Sequence, residues 1–234
     1  MASAGGAVSA LGYAVGAGSL LLYAPVGLKV ARQGRPAAEG LAVSTWWFKV
    51  AGFTASVLYN TSQGYPLEQY SETVVLAAES VVVLALVSYH RGEKSGFDAQ
   101  FVAGIAALAG AAYLGATSAP PEVLAAAQGG SIVIQTSALL PQIALNAQRS
   151  SCEYSPVTSG LAFLGCSTRI FTTLQLAGGD PLLLAGFGAA LLLNTVLLSQ
   201  ALYFGAVKQG ASLREIFTAD LQAAPGRATT GKSA

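Results

Sequence analysis

Residues 134–176 read IQTSALLPQIALNAQRSSCEYSPVTSGLAFLGCSTRIFTTLQL, and residues 18–60 read GSLLLYAPVGLKVARQGRPAAEGLAVSTWWFKVAGFTASVLYN. Laid over one another without a gap, the two stretches align proline with proline: Pro25 falls on Pro141, each inside an apolar run. After one residue of slippage the likeness continues, with Tyr65-Pro66 near Asp180-Pro181 and Glu79 on Asn194. An internal repeat of apolar helices is the sequence mark of a membrane transporter built from two similar halves.

Composition agrees. The chain is 53% hydrophobic and 10% charged, with a mean hydropathy of +0.55. A soluble domain carries about 25% charged residues, so the chain reads as an integral membrane protein. The net charge of +1 carries no signal for nucleic acid, and no basic tract is present to bind it. Cys152 and Cys166 read as one loop residue and one span residue, which argues against a disulfide. No CxxC or Cys/His spacing suggests a metal, and nothing points to a cofactor. His90, beside Arg91 at the end of a span, reads as an interfacial residue.

A membrane span needs roughly 20 mostly apolar residues. Seven stretches qualify, at about 8–28, 40–60, 70–90, 99–118, 122–146, 157–176 and 182–204. Residues 8–92 then form a first three-helix repeat and 122–206 a second, with 99–118 as a linker helix and 212–234 as a cytosolic, disordered tail. The linker is required by geometry. A three-helix unit changes sides, so two copies in one orientation need an extra crossing between them. The fold class is an all-α membrane protein of seven transmembrane helices in a 3+1+3 plan of parallel repeats.

Charge sets the orientation. Ten of the twelve Lys and Arg residues fall in the loops after spans 1, 3, 5 and 7, and only Lys49 and Arg169 lie inside spans. The positive-inside rule puts the N-terminus in the lumen or outside and the C-terminus in the cytosol. The first thirty residues lack a basic n-region and align with span 5, so they read as a span rather than a cleaved leader. Asn60-Thr61-Ser62 matches a glycosylation sequon but abuts span 2.

A proline inside a helix removes a hydrogen bond and kinks the chain. In lipid the freed carbonyl needs another partner, so such breaks face protein or a wet cavity. Pro25 and Pro141, at equivalent repeat positions, read as a pair of hinges opening a central path, or else as two static kinks that shape packing. Ionisable groups in a bilayer are costly and face the bundle interior. Glu79 and its repeat mate Asn194 read as a central site that hydrogen-bonds a polar substrate such as a sugar. Lys49 and Arg169 read as holders of an anionic group, with Gln175, Thr172 and Gln135 adding hydrogen-bonding capacity. The competing reading is internal ion pairs that fasten helices, Lys49 with Glu79 and Arg169 with Asp180 or Glu72. Trp46 and Trp47 read as packing or interfacial aromatics. No Ser/His/Asp set, close carboxylate pair, nucleotide loop or metal spacing is visible, so no catalytic residue is assigned and the chain does not read as an enzyme.

Leu140-Pro141-Gln142 in an apolar span, with Ala24-Pro25-Val26 as a weaker copy, resembles the PQ-loop repeat. That superfamily includes SWEET sugar transporters, cystinosin-type exporters and, by fold, the KDEL receptors. A closer likeness, over about residues 11–206, is to the mannose-P-dolichol utilization defect protein family. It rests on Ala38-Glu39-Gly40-Leu41, on Tyr89-His90-Arg91-Gly92, and above all on Thr168-Arg169-Ile170-Phe171-Thr172-Thr173-Leu174-Gln175 followed by Gly179-Asp180-Pro181-Leu182. The resemblance implies a multi-pass protein of the endoplasmic reticulum membrane. It would be needed to use dolichyl-phosphate-linked mannose and glucose as lumenal donors in N-glycosylation and GPI-anchor synthesis, by handling or translocating the lipid-linked donor. It also implies importance for Arg169, which lies within the matching stretch, and gives Gln142 a place beside the Pro141 hinge. Val26 departs from the pattern, so the first copy is expected to bend less than the second. Two further readings stand beside this one: a SWEET- or cystinosin-like carrier of a small sugar or amino acid, and a scaffold for lumenal glycosyltransferases.

Overall fold

The computed structural model describes residues 2–92, 96–149 and 156–208, with residues 210, 212, 213 and 216. Lys94, Cys152, Arg214, Arg227, Lys232 and almost all of the tail expected to be disordered lie outside the described residues. Among the described residues all regular structure is helical. The elements are α1 (Ala2–Gln33), α2 (Arg35–Glu39), α3 (Val43–Ser62), α4 (Leu67–Arg91), α5 (Ala99–Ser118), α6 (Pro121–Ser137), α7 (Leu140–Arg149), α8 (Pro156–Leu176) and α9 (Pro181–Leu202). A π-helical turn, Tyr203–Lys208, extends α9.

Among the described residues five segments are long and apolar enough to cross a membrane: Gly6–Gln33, Leu67–Arg91, Ala99–Ser118, Pro121–Gln148 and Pro181–Lys208. The protein is therefore a multi-pass membrane protein. The other two apolar stretches of the sequence form α3 and α8, of 20 and 21 residues. Both are long enough, but Lys49 and Asn60 in α3 and Arg169 and Gln175 in α8 make them more polar than the five.

The described residues form two compact units. The first takes the described residues within 1–135 and 169–186, the second those within 136–168 and 187–216. The boundaries fall within α6, α8 and α9 rather than in loops.

In the first unit α4 packs along α1 and also against α3, so the third helix of the repeat lies between the other two. Apolar surface gives little drive for helix association in lipid, where small residues and close packing take over. Gly12 and Gly16, one turn apart on α1, supply that approach. A Cβ at Gly12 would stand 2.5 Å from the Glu68 carbonyl oxygen, and one at Gly16 2.5 Å from the Ser71 hydroxyl. Ser71 donates to the Gly12 carbonyl across the seam at 3.1 Å. Toward the other end Val30, Trp46, Val50, Val83, Leu84 and Val87 make a buried cluster. Arg91 closes that end by donating to the Ala38 and Glu39 carbonyls. Gly34, at φ 64°, ends α1 in the left-handed region that favours glycine, and its N–H returns to the Val30 carbonyl at 2.8 Å.

The two aligned prolines behave differently. α1 runs continuously through Pro25. Pro25 sits on the exposed side of α1, where the missing N–H disturbs no packed neighbour. Before Pro141 the helix stops at Ser137, turns through Ala138-Leu139 and restarts at Leu140. A proline ring disfavours helical geometry in the residue before it and clashes with the carbonyl four residues back. Restarting places Pro141 in a first turn, where its missing N–H leaves no helical bond unmade.

Candidate functional site

The polar interior of the first unit is built from α1, α3, α4 and α8. Lys49 of α3 donates from Nζ to the Tyr23 hydroxyl of α1 at 2.7 Å. The ammonium also lies 4.7 Å from the Tyr23 ring centroid and 6.0 Å from that of Trp46. Trp46 in turn meets Tyr23 edge to face at 5.2 Å, so it is a packing aromatic. Trp47 packs against Phe101 of α5 in the same role. Among the described residues Lys49 has no carboxylate partner, and the expected Lys49–Glu79 ion pair is not formed. The Tyr23 hydroxyl takes the ammonium instead.

Glu79 on α4 presents a carboxylate with both oxygens buried and neither hydrogen-bonded. A buried acceptor without a donor is costly, so this group calls for a donor from outside the chain. Ser80, fully buried next to it, also has an unpartnered hydroxyl.

Arg169 is 2% exposed, and its guanidinium is largely committed. Nε pairs with Glu72 Oε2 at 2.8 Å. One terminal nitrogen donates to the Gln69 carbonyl at 2.8 Å and the Glu68 carbonyl at 3.2 Å. The other terminal nitrogen is buried and unpartnered. The two carbonyls are available because Tyr70 leaves helical geometry (φ −129°, ψ 16°) inside α4. Arg169 therefore fills a gap in the α4 ladder that lipid could not fill. Gln69 reinforces the seam by donating to the Thr173 hydroxyl at 2.7 Å. Thr172, fully buried, donates to the Arg169 carbonyl within α8.

Asp180 does not pair with Arg169. Its Oδ2 accepts from the Tyr59 and Tyr65 hydroxyls, each at 2.6 Å. Its Oδ1 accepts the N–H groups of Leu182 and Leu183 and so caps α9. Burial pushes the Asp180 carboxyl up, but the four hydrogen bonds outweigh it and hold the group below its ordinary value. Burial, then the bond to Asp180 and its charge, push Tyr65 up to about 12.

The remaining sequence-derived candidates are dispersed. Asn194 belongs to the second unit and donates to the Ala190 carbonyl one turn back on its own helix. Gln175 is exposed on α8 and joins none of these contacts. Gln135 donates to Ser131 on α6. Gln142, beside Pro141, donates to Asn146 at 2.8 Å. Asn146 then bonds Gln200 of α9, which donates to the Ile143 carbonyl. The sequon's Asn60 is 4% exposed with its amide bonded to the Ser56 carbonyl at 2.8 Å, so that nitrogen is already occupied.

Tyr23 was not among the sequence candidates. Its signal was present: a hydroxyl two residues before a proline in an otherwise apolar run. Among the described residues no group of His, Cys, Asp and Glu could hold a metal ion. No protein-family model matches the chain, and no solved structure matches it.

Proposed function

We propose that the chain is a seven-span membrane protein of the PQ-loop kind that handles dolichyl-phosphate-linked mannose or glucose in the endoplasmic reticulum membrane. In this reading the N-terminus is lumenal and the C-terminus cytosolic. One observation carries the binding step. Among the described residues Lys49 is a cation without a carboxylate, bonded to the Tyr23 hydroxyl, and Glu79 is a buried carboxylate without a donor. Sugar hydroxyls donate to a carboxylate, and a phosphate accepts from an ammonium. A sugar phosphate satisfies both groups together. Arg169 is assigned the support of α4, with its unpartnered terminal nitrogen available to the same ligand. The role is binding and presentation, without bond cleavage.

The unpartnered Glu79 carboxylate also favours a second reading, a carrier for a small polyol or amino acid, because any hydroxyl or amine can supply its missing donor.

Complementation separates the two. The full chain is expressed in cells lacking the dolichol-phosphate-sugar utilization protein, and the size of their lipid-linked oligosaccharide is read. Recovery of the full-length glycan, lost again in Lys49→Gln and Glu79→Gln, is the expected result. Failure despite correct location in the reticulum, together with solute uptake by reconstituted vesicles, makes the carrier the better reading.

A further inference from the structure

Two polar atoms are left over in the seam where the start of α4 meets residues 169–173 of α8, all within the first unit. One is the second terminal nitrogen of Arg169, a donor. The other is the side-chain oxygen of Gln69, an acceptor. Both are buried with no hydrogen-bond partner among the described residues, and each residue is 2% exposed. Their owners touch. Arg169 donates to the Gln69 main-chain carbonyl at 2.8 Å. The Gln69 amide nitrogen donates to Thr173, one turn along α8, at 2.7 Å. The loose donor and the loose acceptor thus belong to contacting residues without bonding each other. The same seam is where α4 is discontinuous, at Tyr70. Broken helices supply polar atoms to substrate sites in membrane proteins, because irregular backbone at that depth is tolerated only against protein or a wet cavity.

We infer that this pair of atoms is a subsite for one sugar hydroxyl. The choice of a sugar as its bearer rests on the proposed handling of a lipid-linked sugar, and the choice of a hydroxyl rests on the two atoms. A hydroxyl accepts from the Arg169 nitrogen through its oxygen and donates its proton to the Gln69 oxygen, so one group satisfies both. An anion does not. The Arg169 charge is already met by Glu72 at 2.8 Å, so a phosphate here would bring an uncompensated buried charge and set its oxygens against that of Gln69. An ammonium would face the guanidinium. The phosphate is therefore left to Lys49, and the α4 break takes a neutral part of the ligand. The subsite is distinct from Glu79. Gln69 and Glu79 stand ten residues apart on α4, about 15 Å at roughly 1.5 Å per residue, so a single hydroxyl does not serve both.

The test uses the full chain in phosphatidylcholine nanodiscs. Binding is measured for mannosyl-phosphoryl polyprenol, for its monodeoxy analogues, and for methyl mannoside with its own monodeoxy series as the free sugar. One monodeoxy lipid is expected to bind the wild-type chain about tenfold or more weakly than the parent, the effect of leaving a hydrogen bond to a charged group unmade. In Gln69→Met the parent is expected to weaken to the level of that analogue, so that the difference between the two vanishes. Glu79→Gln is expected to keep that same difference. A packing fault alone lowers parent and analogue together and keeps their ratio, so the ratio separates a ligand contact from a structural role. Should Gln69→Met fold poorly, Gln69→Asn takes its place, keeping the amide but drawing its oxygen back by one methylene.

Equal binding of every monodeoxy analogue by the wild-type chain means that water alone bridges the two atoms and overturns the inference. A deoxy penalty that persists in both Gln69 variants overturns it as well. In either case a chain that still binds the parent lipid keeps the proposed function. Binding of methyl mannoside with a penalty that depends on Gln69, without binding of the lipid, keeps the subsite and removes the lipid-linked role. Binding of neither removes both.

Discussion

Arg169 and Lys49 are both cations inside apolar helices, and the protein uses them differently. Arg169 meets a carboxylate and two backbone carbonyls that a break in α4 left open. Lys49 meets one neutral hydroxyl and aromatic faces. A planar five-donor fork suits three acceptors fixed in one place, whereas an ammonium on a flexible stem can turn to a new anion. The difference separates a residue that makes the architecture from one that remains available to a ligand. Position in a matching motif did not make that distinction; the hydrogen-bond inventory does.

The largest expected effect tests the first half of this contrast. Arg169→Ala strands the Glu72 charge and two carbonyls, and removing one partner of a buried pair costs about 3–5 kcal/mol. The thermal midpoint of purified protein in detergent is expected to fall sharply, with Arg169→Lys recovering only part because lysine has no fork. A midpoint unchanged in Arg169→Ala would move the residue out of the architecture and into the ligand site.

Asp180 offers a second anchor to set beside Arg169. Asp180→Ala removes a helix cap and leaves the buried Tyr59 and half-buried Tyr65 hydroxyls without their acceptor, an expected loss of about 1–3 kcal/mol. The pH dependence has a definite sign. The folded carboxyl lies below its ordinary value, so its contribution is complete above the unfolded value near 4 and disappears as pH falls through the folded one. Tyr65 is pushed up to about 12. Its contribution is complete below the ordinary value of about 10 and is lost as pH rises through about 12. Midpoints measured across pH should therefore drop at both extremes, and Asp180→Ala should flatten both limbs. A wild-type acid limb that survives in Asp180→Ala would assign it to another carboxylate.

Lys49→Gln and Glu79→Gln sharpen the second half. Neither breaks an ion pair, so the midpoint is expected to hold within about 1 kcal/mol, and Glu79→Gln to rise if anything, since an amide is less costly to bury than an unpaired carboxylate. Complementation is nevertheless expected to fail for both. Melting of Lys49→Gln as severe as that of Arg169→Ala would erase the contrast.

The smallest effect concerns the prolines. Pro141→Ala is expected to change stability by less than about 1 kcal/mol, because a first-turn proline gives up no helical bond. It should nevertheless slow amide exchange at Ala138 and Leu139 as α6 and α7 join. Unchanged exchange there would show that the turn does not depend on the proline.

Much of the helical frame was legible in the chain. The linker stretch 99–118 coincides with α5, and Asp98 caps it through the Phe101 N–H. The ends of α8 and α9 follow from Gly178, Gly179 and Asp180. The site was legible only in part. Glu79, Lys49 and Arg169 stand out as charges in apolar runs, yet their partners do not, because a span fixes height and face but not which neighbouring helix that face meets. The Arg169–Glu72 pair was one of two options, and the Lys49–Tyr23 contact was not foreseen. Nor was the break at Tyr70, which no proline or glycine announces.

By itself the sequence determined that the protein lives in a membrane and is built of apolar helices. These follow from the cost of exposing apolar side chains to water and unpaired backbone to lipid, costs that composition and spacing already specify. Only the tertiary structure decided which buried charges are satisfied and which are left open. Satisfaction depends on distances of a few tenths of an ångström between helices far apart in sequence, and no local pattern encodes those distances.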